Sequence, residues 1–220
     1  MLIKILFRWI THPLRKLALR LLENPRIRLY YLCLASFLST NGIKPPLSGS
    51  IAGSCMRWEI QGREGSPDRP EAFIREDASL TELFKDVLPY LDKKSRILEI
   101  GCNAGRSLNY LYKLGCHDLT GIEIGPKAID LGKEVFPEMA KHSKLIVGNA
   151  PIELKKLPTG AYDLVFCHSV LVNIHPRFNY IFREMARVSR KFVLTLENEG
   201  SYSGYPRDFK KSFEREGLKM

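Results

Sequence analysis

The sequence lacks the features that mark several classes of protein. Its five cysteines are too few in 220 residues for a disulfide scaffold, and no two of them form a C-x-x-C pair. Charged residues interrupt every apolar stretch before it reaches the roughly 20 residues that a membrane-spanning helix needs. No internal repeat is visible. We therefore expect a globular protein of a reducing, cytoplasmic compartment, with no zinc or other metal site.

Acidic residues are almost absent from the first fifty positions, where Glu23 stands against eight Lys and Arg. The rest of the chain holds 26 Lys and Arg against 23 Asp and Glu. The formal net charge of +10 is therefore mostly a property of the N-terminal segment. Such a charge is weak evidence that the main domain binds nucleic acid, and we do not expect it to do so.

Residues 1–50 predict a basic, amphipathic helical extension. Basic side chains, beginning with Lys4 and Arg8, recur at helical spacing along one stripe, and apolar residues including Trp9 cover most of the remaining surface. This pattern is typical of a helix that lies in a membrane interface. Three roles stay open for this segment. They are peripheral membrane contact through residues 1–40, packing on the main domain or on a partner protein, and targeting.

Two further segments follow in the predicted organisation. Residues 51–70 are rich in Gly, Ser, Pro and charge, which predicts a linker or a lid. Residues 71–220 alternate strand-like and helical patterns, which predicts an α/β domain with a mostly parallel sheet and helices on both of its faces. The strand-like runs are Arg96–Ile100, Leu119–Glu123, Lys144–Val147, Asp163–Cys167 and Phe192–Glu197. Sheets of this kind bind ligands at the C-terminal ends of their strands.

The turn after the first strand has the pattern E-x-G-x-N-x-G, formed by Glu99, Gly101, Asn103 and Gly105. It supplies neither the G-x-G-x-x-G of the dinucleotide fingerprint nor the G-K-[ST] of a P-loop. The glycines allow a tight turn and a close approach of the backbone to a ligand. Asn is one of the few other residues that tolerates a left-handed conformation, so the turn can form with Asn103 in it.

This turn resembles the first motif of class I S-adenosylmethionine-dependent methyltransferases, [D/E]-x-G-x-G-x-G. Three more segments resemble the same family in its order and spacing: LTGIEIGPKAIDLGKE, AYDLVFCHSVLVNIHP and FREMARVSRKFVLTLE. The resemblance is greatest to the small-molecule branch of methyltransferase types 11 and 12. It implies a Rossmann-like methyltransferase fold, an S-adenosyl-L-methionine cofactor and methyl transfer to an acceptor.

The resemblance also implies roles for residues at the first turn. Glu99 corresponds to the family's acidic residue near the amino end of the cofactor's methionine, with a strand-end ion pair or cap as the alternative. The methionine carboxylate can meet N–H groups at the start of the helix that follows. The turn residues assigned to the cofactor are Gly101, Cys102, Asn103 and Gly105.

The second and third strands supply the adenosine side of the expected site. Glu123 ends the second strand 22 residues after Gly101, a spacing that suits a carboxylate accepting both ribose hydroxyls. The resemblance places Ile124 against the adenine and gives Asn149 and the N–H of Ala150 to the adenine edge. A plain turn is the alternative for Asn149.

The fourth strand leads to the expected place of the reacting methyl. His168 and His175 are the candidate general bases there, and each could instead be a positioning or core histidine. His168 is also assigned to the cofactor.

The place where amino-methylating relatives carry [D/N]-P-P-[Y/F] reads CHSVLVN in this chain. The acceptor is therefore expected to be a small molecule, a lipid-linked molecule or a glycan. A non-catalytic methyltransferase-like binding protein and an RNA methyltransferase stay open as alternatives. The family's sheet ends in an antiparallel hairpin of two strands, which we expect to be missing here, leaving the fifth strand at an edge.

Overall fold

A computed structural model of the chain describes residues Leu21 and Ile27 and the ranges 69–75, 78–197, 205 and 207–219. The chain divides into two compact units, Met1–Arg57 and Trp58–Met220. In the first unit, Leu21 and Ile27 have helical backbone and exposed side chains. The other residues of the predicted extension, and the predicted linker up to residue 68, lie outside the described residues. The domain boundaries at residues 50 and 70 stay predictions.

The second unit contains a sheet of five parallel strands in the order β3-β2-β1-β4-β5. The strands are β1 (Arg96–Ile100), β2 (Asp118–Glu123), β3 (Ser143–Val147), β4 (Tyr162–His168) and β5 (Ser189–Leu196). The chain builds outward from β1 to β3 and then crosses to the other side of β1 to form β4 and β5. This arrangement confirms the predicted α/β fold with a parallel sheet.

Seven α-helices accompany the strands in the described part of the chain. They are α1 (Ala78–Phe84), α2 (Arg106–Lys113), α3 (Pro126–Val135), α4 (Pro137–Lys141), α5 (Ala150–Glu153), α6 (Ile181–Val188) and α7 (Phe209–Glu214). Short 3-10 helices lie at Pro70–Phe73, Leu88–Tyr90, Leu154–Lys156, Leu171–Asn173 and Pro176–Phe178. None of the described helices is long and apolar enough to cross a bilayer.

Two hydrophobic cores lie on opposite faces of the sheet because neighbouring residues of a strand point to opposite sides. Ile97 and Phe166 pack into a core with α1, α2, α3 and α4. Leu98 and Val165 pack into a core with α6 and α7. Both faces of the central strands are thus covered, which explains why β1 and β4 are apolar on both sides.

Two predicted helices are shorter than their sequence patterns indicate. The apolar pattern from Glu71 to Leu91 predicts one helix, but α1 ends at Phe84 and a 3-10 helix containing Pro89 follows. Proline lacks the backbone N–H that a continuing α-helix requires. The pattern from Tyr205 to Glu216 contains α7, which begins after Asp208 because that side chain caps the helix by accepting the N–H of Lys211 (2.8 Å).

The described residues contain no strand beyond β5, and within them β5 pairs with β4 alone. The strands that the family's antiparallel hairpin would supply are therefore not among the described residues.

Candidate functional site

The strand order reverses between β1 and β4, because the chain leaves β1 towards β2 on one side and reaches β4 on the other. In open parallel sheets this reversal opens a crevice at the C-terminal ends of the two strands, where ligands bind. The site residues that the sequence predicts all lie in the last residues of β1, β2 and β4 or in the segments that follow β1, β2, β3 and β4. The fold therefore brings the predicted set to one edge of the sheet.

The turn after β1 adopts three left-handed backbone conformations within five residues. Gly101, Asn103 and Gly105 have φ of +69°, +50° and +83°. A Cβ on Gly101 would lie 2.4 Å from Cγ2 of Val170, so the position also excludes side chains by contact. Asn103 adopts the left-handed conformation and its Oδ1 accepts the N–H of Ala104 (2.7 Å). The turn therefore keeps its shape without a glycine at that place.

Cys102 is buried inside this turn and faces the protein. Its N–H donates to the carbonyl of Ile122 (3.1 Å), as does that of Gly101 (2.7 Å), which joins the turn to the end of β2. Burial raises the pKa of the Cys102 thiol well above its ordinary value, so the group is a packed thiol and not a thiolate. A Cβ on Gly121 would lie 2.6 Å from this sulfur. The side chain thus fills space between β1 and β2.

Glu123 ends β2 with its carboxylate directed back to the turn. Oε2 accepts the N–H of Asn103 (2.9 Å) and Oε1 accepts the N–H of Gly125 (2.8 Å). Burial raises the pKa of this carboxyl, and the backbone N–H donors act against that rise. A carboxylate has more acceptor positions than these backbone donors fill, so the group keeps acceptor capacity while it holds the turn.

Glu99 lies below the turn and is buried, with 3% of its surface exposed. Its carboxyl accepts hydrogen bonds from the Ser107 hydroxyl and the N–H of Leu108, in the first turn of α2. Its Oε2 has no partner among the described residues. Burial raises the pKa of Glu99 to about 8. A cation placed near Oε2 would stabilise the ionised form.

The loop after β3 lies beside the loop after β2. The N–H of Gly148 donates to the carbonyl of Glu123 (2.8 Å), which places Asn149 and Ala150 next to Ile124 along the edge of the sheet. Asn149 precedes α5, and its carbonyl accepts the N–H groups of two residues of that helix. Ile124, Asn149 and Ala150 are all half-buried. The residues assigned to the adenine are thus neighbours across two loops.

The two candidate bases have different surroundings. His168 is the last residue of β4, half-buried, and is followed by Ser169 with a left-handed φ of +57°. His175 precedes the 3-10 helix Pro176–Phe178, and its Nδ1 accepts the N–H of Arg177 (3.1 Å). In a neutral ring that accepts at Nδ1, this nitrogen is the basic one and is already engaged. The ring of His175 also packs edge-on against Tyr205, at 5.3 Å between centroids.

Two residues of this edge have no role in the sequence-based prediction. Glu197 follows β5 and accepts three backbone N–H groups of the loop after β4. Arg207 donates to carbonyls of the same loop. The sequence signal for Glu197 is the same as for Glu123, an acidic residue at the end of a strand-like run. The sequence held no comparable signal for Arg207.

One protein family matches the part of the chain that forms most of this edge. The family described as "Methyltransferase domain" matches residues 98–192, from within β1 into β5. This range contains every predicted cofactor residue named above. No curated protein matches the sequence.

Solved structures of the same fold have low sequence identity to the chain. An S-adenosylmethionine-dependent methyltransferase from Archaeoglobus fulgidus is 18% identical over 68% of this chain and 72% of its own, with a TM-score of 0.53. A TehB-like S-adenosylmethionine-dependent methyltransferase from Corynebacterium glutamicum is 20% identical over 87% and 83%, with a TM-score of 0.50. The [4+2]-cyclase SpnF is 18% identical over 84% and 69%, with a TM-score of 0.51. These likenesses concern the fold, which hosts more than one named reaction.

Proposed function

We propose that the chain, whose residues 98–192 match the methyltransferase-domain family, is a class I S-adenosylmethionine-dependent methyltransferase that methylates a small-molecule, lipid-linked or glycan acceptor at the β1–β4 crevice. The observation that carries the proposal is the Glu123 carboxylate. It is buried at the end of β2 and holds the glycine turn while keeping acceptor capacity. This is the arrangement that a ribose diol requires.

The residues of the turn fit the other end of the cofactor. The partnerless, buried Oε2 of Glu99 is an acceptor suited to an ammonium group such as that of the methionine part. The left-handed glycines keep side chains away from the path of the methionine part. We assign Glu99, Gly101, Cys102, Asn103 and Gly105 to the methionine end, the cysteine through its backbone.

The adenosine end is assigned to the neighbouring loops. Ile124 would flank the adenine, and Asn149 and Ala150 would offer it a carbonyl acceptor and an N–H. Their half-burial beside Glu123 supports this assignment, because an adenine ring needs a partly apolar slot with a few polar groups at its edge.

Bound S-adenosylmethionine supplies a methyl group that is already activated on a positively charged sulfur. The chain's own residues therefore need only align the acceptor and exclude water. A hydroxyl acceptor also has to lose a proton. We assign that proton to His168, since it ends β4 beside the turn, and we give His175 a positioning role, since its Nδ1 already accepts the N–H of Arg177.

The acceptor class is proposed on the sequence CHSVLVN after β4, which differs from the amino-methylating pattern. The basic, apolar segment 1–40 supports a lipid-linked acceptor reached by peripheral membrane contact. The exposed Leu21 and Ile27 belong to that segment and are the kind of side chains that such contact would bury.

The test is a calorimetric titration of the full chain with S-adenosylmethionine. We expect binding in the micromolar range, weakened about 100-fold by Glu123→Gln, because two hydrogen bonds to a charged acceptor are worth about 3 kcal/mol. Glu184→Gln is the matched control: Glu184 is equally buried but pairs with Arg187 on α6. Absence of binding by the folded wild-type chain would refute the proposed function.

The same preparation then tests the acceptor class. Transfer of a labelled methyl group is measured into membrane lipid extract, water-soluble metabolites, glycans and RNA. We expect label in a lipid, metabolite or glycan fraction. Label in RNA alone would contradict the proposed acceptor and leave the cofactor assignment intact.

A further inference from the structure

The loop after β4 contains a single turn of 3-10 helix, Leu171–Asn173, whose first N–H groups all donate to one carboxylate. Oε1 of Glu197 accepts the N–H of Val170 (2.9 Å) and of Leu171 (2.9 Å), and Oε2 accepts that of Val172 (3.1 Å). The thiol of Cys167, one strand away, donates to Oε1 as well (3.4 Å). Glu197 thus satisfies the whole N-terminal end of this turn.

The other end of the turn is held by a cation. The guanidinium of Arg207 donates to the carbonyls of Leu171 (2.6 Å) and Ile174, and its Nε donates to Oδ1 of Asn179 (3.1 Å). Burial lowers the pKa of Arg207, and the nearby Glu197 carboxylate opposes that shift. An arginine guanidinium is protonated under all ordinary conditions, so it acts here as a cation.

This arrangement matches the electrostatics of a helix. The N-terminal end carries unpaired N–H groups and a partial positive charge, and the C-terminal end carries carbonyls and a partial negative charge. An anion at the first end and a cation at the second stabilise both. A single helical turn is not stable by itself, so its conformation depends on such outside partners. We call Glu197 and Arg207 the loop clamp.

The clamped loop touches the glycine turn of the proposed cofactor site. Val170, held through its N–H by Glu197, covers Gly101 so closely that a Cβ there would lie 2.4 Å from its Cγ2. Ser169, with its left-handed φ of +57°, precedes it, and its carbonyl accepts from the Asn173 amide (3.0 Å). The position of Val170 over Gly101 is therefore set by the clamp.

On the basis of the proposed function, we propose that Glu197, assisted by Arg207, is a positioning residue for the methionine end of the cofactor. Its carboxylate fixes the backbone of Val170 to Val172, and through Val170 it fixes the wall opposite the glycine turn. Glu197 lies on the β5 side of the crevice, away from Glu123 and the adenosine end. Loss of its charge should therefore affect the methionine part of a ligand and leave the adenosine part.

The test uses two ligands that differ in the methionine part. The full chain is titrated with S-adenosylhomocysteine, which contains the amino-acid end, and with 5′-methylthioadenosine, which does not. We expect Glu197→Gln to weaken S-adenosylhomocysteine about 10-fold, the loss typical of hydrogen bonds to a charged group. We expect the affinity of Glu197→Gln for 5′-methylthioadenosine to stay within about twofold of the wild-type value. The control Glu184→Gln should bind both ligands within about twofold of the wild-type chain.

Amide hydrogen exchange of Val170, Leu171 and Val172 gives the second readout. We expect faster exchange at these amides in Glu197→Gln and unchanged exchange at Gly101 and Asn103. Should Glu197→Gln fail to fold, Arg207→Lys keeps a cation but loses the planar fork, and we expect the same ligand selectivity with a smaller loss.

Three outcomes would overturn the inference. Equal weakening of both ligands would indicate a general structural role, and unchanged affinity for S-adenosylhomocysteine would exclude a positioning role. If the wild-type chain binds neither ligand, the proposed function fails. The clamp is then tested by amide exchange alone, and unchanged exchange at Val170, Leu171 and Val172 in Glu197→Gln would refute it.

Discussion

On the β1–β2 side of the crevice, the shape of the site depends on backbone conformation, with left-handed residues at Gly101, Asn103 and Gly105. On the β4–β5 side it depends on two charged side chains, Glu197 and Arg207, that hold a loop 25 to 36 residues away in sequence. The first construction admits only glycine and a few other residues at given positions. The second requires a charge at the right point in space, which many sequences could supply.

This difference determines what each side can do. The glycine turn is held by backbone hydrogen bonds to Ile122 and by the Glu123 carboxylate, and it suits a ligand that is the same in every turnover. The clamped loop is held by hydrogen bonds that can be lost one at a time, so its position can be adjusted by changes at a distance.

The largest effect is expected where the two sides meet. Gly101→Ala should weaken S-adenosylhomocysteine at least about 100-fold, because a left-handed alanine costs about 1–2 kcal/mol and its Cβ would collide with Val170. Calorimetric titration measures the loss. Adding Val170→Ala should recover part of it by removing the two colliding methyl groups, while the backbone strain remains.

Full recovery in that double variant would show that contact with the β4–β5 side alone requires Gly101. No recovery would show that the conformation of the turn alone requires it. Either result would contradict our expectation that backbone strain at Gly101 and contact with Val170 both contribute measurably to the loss.

The sequence predicts the β1–β2 side of the crevice far better than the β4–β5 side, because the first depends on a local pattern and the second on side chains that are distant in sequence. Glycines at fixed spacing and an acidic residue 22 positions later are a local pattern, and the backbone conformations follow from it. The parallel sheet was predictable because alternating apolar runs and helices admit few topologies. Arg207 could not be predicted, since nothing near it in sequence marks a residue that will meet carbonyls 33 and 36 positions earlier. The break in the predicted helix from Glu71 to Leu91 has a local cause, Pro89, but the apolar periodicity outweighed it.

A smaller effect, confined to the β1–β2 side, should follow from Glu99. Its pKa is raised to about 8 by burial, so the folded chain holds a proton there that the unfolded chain releases near its ordinary pKa of 4.5. The stability associated with that proton is present below pH 4.5 and is lost as the pH rises through about 8. Chemical denaturation between pH 5 and 8 should show wild-type stability falling relative to Glu99→Gln, by at most about 1.4 kcal/mol per pH unit.

The ligand should reverse this trend. An ammonium group near Oε2 favours the ionised carboxyl, so the affinity of the wild-type chain for S-adenosylhomocysteine should rise from pH 6 to 8, by up to about 10-fold per unit. The affinity of Glu99→Gln should change less. If the affinities of the two proteins changed with pH in the same way, Glu99 would not bind the cofactor. Its role would then be only to fix α2 from the end of β1.

The smallest effect on binding is expected at the N-terminal ends of the strands, where Asp163 is the second residue of β4. Burial alone would raise the pKa of Asp163, but the N–H of Arg96 (2.9 Å), Arg190 (2.7 Å) and Lys191 (3.1 Å) outweigh burial and hold the pKa at about 2. Asp163→Asn should lower the free energy of unfolding at pH 7 by about 1–2 kcal/mol, allowing for the solvent exposure of both cations.

This loss has a definite pH window. The group's pKa is depressed on folding, so its contribution is present above the ordinary value of 3.8 and disappears as the pH falls towards 2. Urea denaturation at pH 7, 4 and 3 should show wild-type and Asp163→Asn proteins converging, while their affinities for S-adenosylhomocysteine at pH 7 agree within about twofold. A matching loss of affinity would mean that strain at the N-terminal ends of β1, β4 and β5 reaches the crevice through the strands. The N-terminal ends of the strands would then influence both the glycine turn and the loop clamp. The difference between the two sides would in that case concern only the residues that directly contact the crevice.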